Sequence, residues 1–418
     1  MKRLQFLFIV VVYISITAQP NRDGAERMHS GPKPIYIESH LIPSDSINIC
    51  YISYKVPYSN LVFIKEGYTF NGGLTFRIEA TGKEGVLGRE STHDKVRLAN
   101  YDDTNRQDKF LEGVLSFPLS KSSATINPII EIDNTNRQVP LRPFNVEKSD
   151  YEFIVVKFES GCTNSHGYSL INFENSIPFD DEDHKLMIPI FNKKVDKIVA
   201  KVSQNGKDIL KKELIKVSTL SLSLEECRGN ISLVNNPGNE AANIFFLHNF
   251  ATLLNEGPFE VTIMSETDSI LFQRELNVSW INKPAPLMNP KFAFGLLELM
   301  EDESKLDQIY DEAGGDYLNA INLFWDKYDP DGKTAYNPLM YEFYSRAETA
   351  LKEYSEKGSR FDALTDRAKI FIKYGEPSEV DRYYSDKDEI TEVWKYLSPK
   401  TQFVFVDASG LGNYKLVN

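Results

Sequence analysis

The spacing of apolar residues changes near residue 285, and this change constrains the fold more than any other feature of the chain. From residue 35 to about 280, apolar side chains recur at every second position; residues 74–80, for example, alternate and end at a glycine-containing turn. A period of two is typical of half-buried β-strands. Beyond residue 290 the spacing becomes helical. The sequence therefore predicts a multi-domain protein, with two all-β immunoglobulin-like sandwich domains followed by an α+β C-terminal domain.

The β-rich part divides near residue 148, where Pro140 and Pro143 precede a new apolar run. We expect the first sandwich over residues 35–147 and a second β-rich domain over 148–282. Within the first, residues 47–52 predict a strand that is covered on both faces. Within the second, Asn205-Gly206 between two apolar runs predicts a hairpin, and residues 241–254 predict a helix. The Pro-rich segment 283–290 predicts a stiff, extended linker.

The C-terminal domain, residues 291–418, is expected to place its helices first and a small antiparallel sheet after them. Helical spacing covers residues 292–300, 306–310, 317–325 and 340–354. Period two returns in residues 369–374, 390–396, 402–406 and 414–417.

The first eighteen residues have the pattern of a cleavable signal peptide. Lys2-Arg3 precede an apolar run, and Ala18 offers a small residue for cleavage before the polar Gln19. Residues 19–34 predict a flexible leader. No cysteine lies near the cleavage position and no second long apolar run occurs, so we expect neither a lipid anchor nor a transmembrane span in the mature chain. The expected location is extracytoplasmic, and the periplasm is the simplest destination.

Composition limits the partners. The net charge of −13 argues against nucleic acid and anionic membrane surfaces as ligands. The three cysteines, Cys50, Cys162 and Cys227, are few for an oxidising compartment, and the sequence does not decide which of them pair. Cys50 lies in an alternating apolar run, so we expect it to be buried in a strand.

A series of short segments in the last third of the chain has a characteristic order and spacing. They are Phe324-Trp325, Asp329-Pro330, Asn337, Tyr344, Arg346, Thr365-Asp366-Arg367, Ile370 to Pro377, Val380, Glu392 to Tyr396 and Phe403 to Asp407. Together they resemble the GWxTD domain, a module of exported proteins in Bacteroidetes and related bacteria. Where the family has Gly-Trp, this chain has Asp362-Ala363, although Thr365-Asp366 is retained. The resemblance implies a cell-envelope protein with this module at its C-terminus, and it brings no assigned reaction.

Two short motifs in this domain are candidate binding elements. Thr365-Asp366-Arg367 predicts a ligand triad, or else a cap on a turn before a strand, with the arginine paired to a carboxylate or stacked on a ring. Tyr374-Gly375-Glu376-Pro377 predicts a recognition loop, or else a strand end and a turn. In that turn Gly375 would adopt positive φ and Pro377 would start a short helix.

Aromatic residues supply the other candidates. Trp394 and Tyr396 share one face of a predicted strand, and Trp325 lies on a predicted helix. They predict either a groove for peptide or glycan or, as is more common for such rings, core packing. The candidate binding residues are Trp325, Thr365, Asp366, Arg367, Tyr374, Gly375, Pro377, Trp394 and Tyr396.

The sequence favours binding over catalysis. All six histidines precede the C-terminal domain, which excludes a histidine-based triad, zinc site or general base there. The acidic run 180–184 predicts a solvated loop, with a calcium site as the alternative, and no metal or cofactor is expected. We therefore expect a non-enzymatic binding or scaffold protein that docks other envelope proteins. The alternative is a carboxylate-dependent hydrolase of envelope glycan or peptide.

Overall fold

The computed structural model describes residues 34–43, 48–119, 123–158, 165–192, 194–235, 242–330, 332–354, 364–385 and 389–417. Strands account for 49% and helices for 20%, so the protein is mostly β-sheet. The predicted signal peptide and residues 19–33 of the predicted leader lie outside the described residues and stay predictions.

The N-terminal part folds into two facing sheets. A three-stranded sheet has the order β1-β2-β6; the second has the order β3-β4-β7-β8, with β5 beside β4 and β9 beside β7. One core lies between them, filled by side chains such as Tyr54 from the first sheet and Phe76 from the second. The strands are β1 (Tyr36–Pro43), β2 (Asn48–Pro57), β3 (Ile64–Glu66), β4 (Thr69–Gly82), β5 (Gly85–Leu98), β6 (Phe110–Leu119), β7 (Ser123–Ile132), β8 (Gln138–Pro140) and β9 (Phe144–Glu147).

The middle part also consists of two sheets around a core. A seven-stranded sheet has the order β16-β19-β13-β10-β11-β18-β17, and a five-stranded sheet has the order β12-β21-β20-β14-β15. The strands are β10 (Ile154–Phe158), β11 (Ser165–Leu170), β12 (Ser176–Pro178), β13 (Lys185–Ile190), β14 (Lys197–Gln204), β15 (Lys207–Ile215), β16 (Ser218–Leu220), β17 (Leu222–Cys227), β18 (Asn230–Asn235), β19 (Ala242–Leu247), β20 (Gly257–Met264) and β21 (Ile270–Ser279).

The two parts pack sheet against sheet. Ile42 and Tyr51 of the three-stranded sheet share a buried cluster with Met187 and Leu233 of the seven-stranded sheet. The four sheets therefore form successive layers, and the three-stranded sheet is covered on both sides. This explains why β2 is buried along almost its whole length, as the sequence predicted.

A buried polar cluster also joins the two parts. Asn172 accepts a hydrogen bond from the Ser53 hydroxyl and donates to the Tyr54 carbonyl and to Glu112. Lys55 donates to Glu112 and to the Ile171 carbonyl. Because buried polar groups need partners, these bonds restrict how the two parts can be oriented.

The middle part confirms one local prediction and corrects another. Asn205 and Gly206, with φ of 52° and 73°, form the turn between β14 and β15. The predicted helix 241–254 is wrong, because Ala242–Leu247 is strand β19 and only Ala251–Leu253 forms a 3-10 turn. Since β19 lies between two other strands and is covered on both faces, its apolar residues do not alternate.

The C-terminal part places its helices before its sheet, as predicted. The sheet is antiparallel in the order β22-β23-β24-β25 and shares one core with the helices. The elements are α1 (Pro290–Gly295), α2 (Glu303–Glu312), α3 (Tyr317–Trp325), α4 (Pro338–Glu353), α5 (Asp366–Tyr374), β22 (Glu379–Tyr384), β23 (Ile390–Tyr396), β24 (Thr401–Asp407) and β25 (Lys415–Leu416).

The Pro-rich segment before α1 is not an extended linker. Ala285–Met288 forms a 3-10 turn, and Leu287 is buried in the C-terminal core. Asn289 then caps α1, where Pro290 occupies the first turn. Proline fixes a φ that suits helix starts as well as extended chain, and here the helix start prevails.

The state of two cysteines follows from the fold. Cys50 is a free, buried thiol in β2, and burial raises its pKa to about 12. Cys227 is disulfide-bonded, while Cys162 lies outside the described residues. Among the described residues, no helix is both long enough and apolar enough to cross a membrane.

Candidate functional site

Thr365 and Asp366 hold the start of α5. The Thr365 hydroxyl oxygen accepts from the Ala368 amide at 3.2 Å and donates to the Tyr354 carbonyl at 2.7 Å. Asp366 accepts from the Leu416 amide at 2.9 Å, which ties α5 to β25. The motif thus caps a helix, whereas the sequence predicted a turn before a strand.

Arg367 adopts both of its predicted structural contacts. Its guanidinium lies 3.2 Å from Glu392 and stacks on the Tyr414 ring, 3.8 Å from the centroid. Glu392 also binds Arg382 and accepts from the Trp394 indole at 3.3 Å. Burial alone would raise the pKa of Glu392, but the hydrogen bonds and charges of the two arginines hold it below its usual value. These polar side chains therefore bind one another rather than facing a cleft.

The sheet aromatics pack in the core. Trp394 is 1% exposed and lies between the rings of Tyr354 and Phe405, with centroids 5.1 and 4.9 Å away. Tyr396 is also buried, and its hydroxyl donates to the Gly375 carbonyl at 3.0 Å. An aromatic binding surface at Trp394 and Tyr396 is therefore excluded.

The Tyr374 to Pro377 motif ends a helix. The predicted strand 369–374 is wrong, because α5 continues to Tyr374 and the Gly375 amide closes it by donating to Phe371 at 2.7 Å. Gly375 has the predicted positive φ of 78°. The short helix predicted from Pro377 is also wrong, because strand β22 begins at Glu379. A short apolar run such as 370–372 suits strand and helix alike.

Among the nine candidates, Trp325 lines a groove. The groove, of about 410 Å³, lies between α4, α5, the end of α3 and the turn after α1. Trp325 forms part of its floor with Phe343 and Ile372, while Met300 and Leu339 are exposed at its edge. The lining residues are Leu299, Met300, Trp325, Tyr328, Leu339, Glu342, Phe343, Arg346, Ile372 and Lys373.

One face of α4 supplies much of this lining. Leu339, Glu342, Phe343 and Arg346 follow the i, i+3, i+4, i+7 spacing that places side chains on a single helix face. Glu342 accepts from Arg346 at 2.7 Å, and Lys373 has no salt-bridge partner among the described residues. The groove is therefore apolar along its floor, with an unpaired cation at its edge.

Of the groove residues, the sequence predicted Trp325 alone as a candidate binding residue. The helical pattern of residues 340–354 followed the face of α4 that carries Met340, Phe343, Ala347 and Ala350, and these side chains are buried. Leu339 could have indicated the groove, because it is an apolar residue of α4 that lies beside the core face. The structure leaves it 47% exposed. Within the described part of the chain, no three metal-binding side chains lie together.

Comparisons with known proteins add little. No family model matches the sequence, and no curated protein matches it. Among solved structures, red sea bream transglutaminase aligns over 60% of this chain and 31% of its own, at 8% identity and a TM-score of 0.18.

Two bacterial structures are equally distant. A calcium-binding mutant of Bacteroides uniformis beta-glucuronidase 2 aligns over 36% of this chain and 16% of its own, at 12% identity and a TM-score of 0.17. The C-terminal domain of the Streptococcus pyogenes antigen I/II-family protein AspA aligns over 59% of this chain and all of its own, at 8% identity and a TM-score of 0.17.

Proposed function

We propose that this is an exported, non-enzymatic binding or scaffold protein of the bacterial cell envelope. In this proposal two immunoglobulin-like sandwiches position a GWxTD-like module, and the module docks another envelope protein through the groove beside α4. The periplasm is the proposed location.

The groove is the observation that carries the proposal. It combines an apolar floor with exposed Met300, Tyr328 and Leu339, which together leave a concave apolar surface in contact with water. Such surfaces favour burial against a partner's apolar side chains. The flexible, polarisable Met300 suits a binding surface, and Lys373 would attract a partner with an acidic residue beside its apolar ones.

The groove gives less support to the hydrolase alternative. Among its described lining residues the single carboxylate is Glu342, which is bonded to Arg346. Two-carboxylate hydrolysis needs an acid and a second carboxylate across the scissile bond. This groove lacks that pair.

A pull-down from the native envelope tests docking, with Leu339→Glu as the disrupting variant. The matched control is Leu318→Glu, because Leu318 is 49% exposed on the same domain, compared with 47% for Leu339, and does not line the groove. We expect wild type and the control to recover the same stoichiometric partner and Leu339→Glu to lose it. Failure of the wild type to recover a partner, or equal recovery by both variants, would contradict the proposal.

Export is tested separately. Terminal sequencing of the protein from the envelope fraction should begin at Gln19. An intact Met1 would contradict signal-peptide cleavage.

A further inference from the structure

A second cavity lies where the three parts of the chain meet, away from the groove. Its volume is about 340 Å³, within the range of small-molecule sites. Lys55 and Phe110 come from the N-terminal part, Tyr336 and Tyr341 from the C-terminal part, and the rest mainly from the middle part. Its aromatic lining residues are Phe110, Phe173, Phe179, Trp280, Tyr336 and Tyr341.

Two lysines, Lys55 and Lys157, line this junction cavity. The Lys55 ammonium lies 3.9 Å from the Phe173 centroid, and Glu112 neutralises its charge at 3.0 Å. Lys157 lies close enough to lower the pKa of Lys55 further, although burial is the main cause of that lowering. The Lys157 ammonium donates to the neutral Asn230 side chain at 3.3 Å and forms no ion pair within the described residues. Lys157 therefore supplies an uncompensated positive charge.

Two carboxylates, Asp180 and Glu182, line the same cavity. Asp180 binds the buried His184 ring at 2.8 Å, so the run 180–184 is not simply a solvated loop. Glu182 also lines the cavity, and its carboxylate has no partner among the described residues. The pKa of Tyr336 is raised, mainly by burial and in addition by negative charges that include Asp180. That shift is consistent with a negative potential beside Tyr336.

Three of the lining aromatic rings pack together into a ring wall. Phe179, Trp280 and Tyr336 contact one another edge to face, with centroids 5.1 to 6.0 Å apart. Because the rings fill space against each other, they form a surface rather than a cage. A ligand with an apolar or aromatic body would pack on that surface.

We propose that the junction cavity binds a short peptide with free termini, its ammonium at Glu182, its carboxylate at Lys157 and its side chain on the ring wall. Two opposite charges that line one cavity without bonding each other are complementary to a zwitterion of this kind. The shared lining means that such a ligand would also stabilise the relative placement of the three parts. The site is independent of the docking groove.

The test is isothermal titration calorimetry of the mature protein with the dipeptide phenylalanyl-alanine, its N-acetyl form and its C-terminal amide. We expect saturable binding of the free dipeptide and about tenfold weaker binding of each blocked form, because each block removes a charge-assisted contact. In Glu182→Gln, the acetylated dipeptide should bind as well as the free one, while the amide still binds more weakly. In Lys157→Met, the amide should bind as well as the free dipeptide, while the acetylated form still binds more weakly. The control Glu298→Gln, at an exposed carboxylate outside the cavity, should bind like wild type.

Other outcomes would overturn the proposal. The first is that the wild type does not bind the free dipeptide, and the second is that it binds the free and blocked forms equally. The third is that it binds an N-acetylglucosamine dimer instead of the peptide. A thermal unfolding scan of each variant confirms that it is folded. Since no groove residue changes, failure here leaves the docking proposal standing, and failure of the pull-down leaves this one standing.

Discussion

The Arg367 guanidinium donates to the Glu392 carboxylate across 3.2 Å inside the C-terminal domain. The Glu392 side chain is 2% exposed and that of Arg367 is 15% exposed, so the pair is largely removed from water. Arg382 also binds Glu392, but half of its own side chain is exposed. A buried carboxylate needs a partner to stay charged. If Arg382 is removed, water can take its place beside Glu392, because the Arg382 side chain is half exposed. Water has less access to the place of the more buried Arg367.

We therefore expect Arg367→Met to lower the free energy of unfolding by about 3 kcal/mol, and Arg382→Met by about 1 kcal/mol or less. Urea unfolding measures both. The folded-state pKa of Glu392 lies below 4.5. The stability that charged Glu392 contributes is therefore present above pH 4.5 and is lost as the pH falls through the folded-state pKa. Equal losses in the two variants would show that Arg367 is not the main partner.

Trp394→Ala should lower the free energy of unfolding by about 3–5 kcal/mol, because it empties a core position between two rings. Tyr384→Ala is the control on the same sheet, since Tyr384 is 71% exposed; its effect should stay within about 0.5 kcal/mol. Chemical denaturation followed by circular dichroism compares the two. A stable, unchanged Trp394→Ala domain would mean that the indole is not a core residue.

The sequence correctly predicted the elements whose apolar residues have a clear period. The prediction was wrong for elements that are buried on more than one side, because their apolar residues show no clear period. The strand around Cys50, the Asn205-Gly206 hairpin and helix α3 follow from local pattern alone. Strand β19 and helix α5 are short and apolar on more than one side, so their residues do not reveal a period. For α5 the useful signals were the caps, Thr365 before it and Gly375 after it.

The candidate sites depend on contacts that no local pattern encodes. Asn172 and Glu112 are 60 residues apart, and Lys55 and Ile171 are 116 apart, yet they meet where two sheets pack. The groove likewise combines residues from four separate segments. The sequence therefore identified Trp325 as a candidate residue but not the surface to which it belongs.

Gly375→Ala should lower the free energy of unfolding by about 1–3 kcal/mol. Its φ of 78° is unfavourable for an L side chain, and an added Cβ would lie 3.2 Å from the Arg346 guanidinium carbon. Gly295→Ala is the matched control: it lies in α1 with open space around it, and alanine favours helix. Thermal unfolding should therefore separate the two alanine variants, and coincident melting curves would refute the strain at Gly375.

We expect His40, where the first two parts pack, to make the stability of the fold depend on pH. Its Nε2 lies 2.9 Å from Glu38, and its Nδ1 lies 3.9 Å from Glu152. Burial lowers the pKa of His40, but the Glu38 hydrogen bond and the charges of the two glutamates outweigh it and raise the pKa above 6.5. The protonated ring therefore stabilises the folded state.

A raised folded-state pKa fixes the sign of the effect. The stabilisation is fully present below pH 6.5, the pKa of the unfolded state, and is lost as the pH rises through the folded-state pKa. Its size is about 1.4 kcal/mol for each pH unit by which the folded-state pKa exceeds the unfolded one. Wild type should lose unfolding free energy over this range, whereas His40→Gln should show a lower and flatter profile. His248→Gln, at a histidine outside this cluster, should keep the wild-type slope. Because Glu38 and Glu152 remain in His40→Gln, a wild-type slope in that variant would assign the pH dependence to groups other than His40.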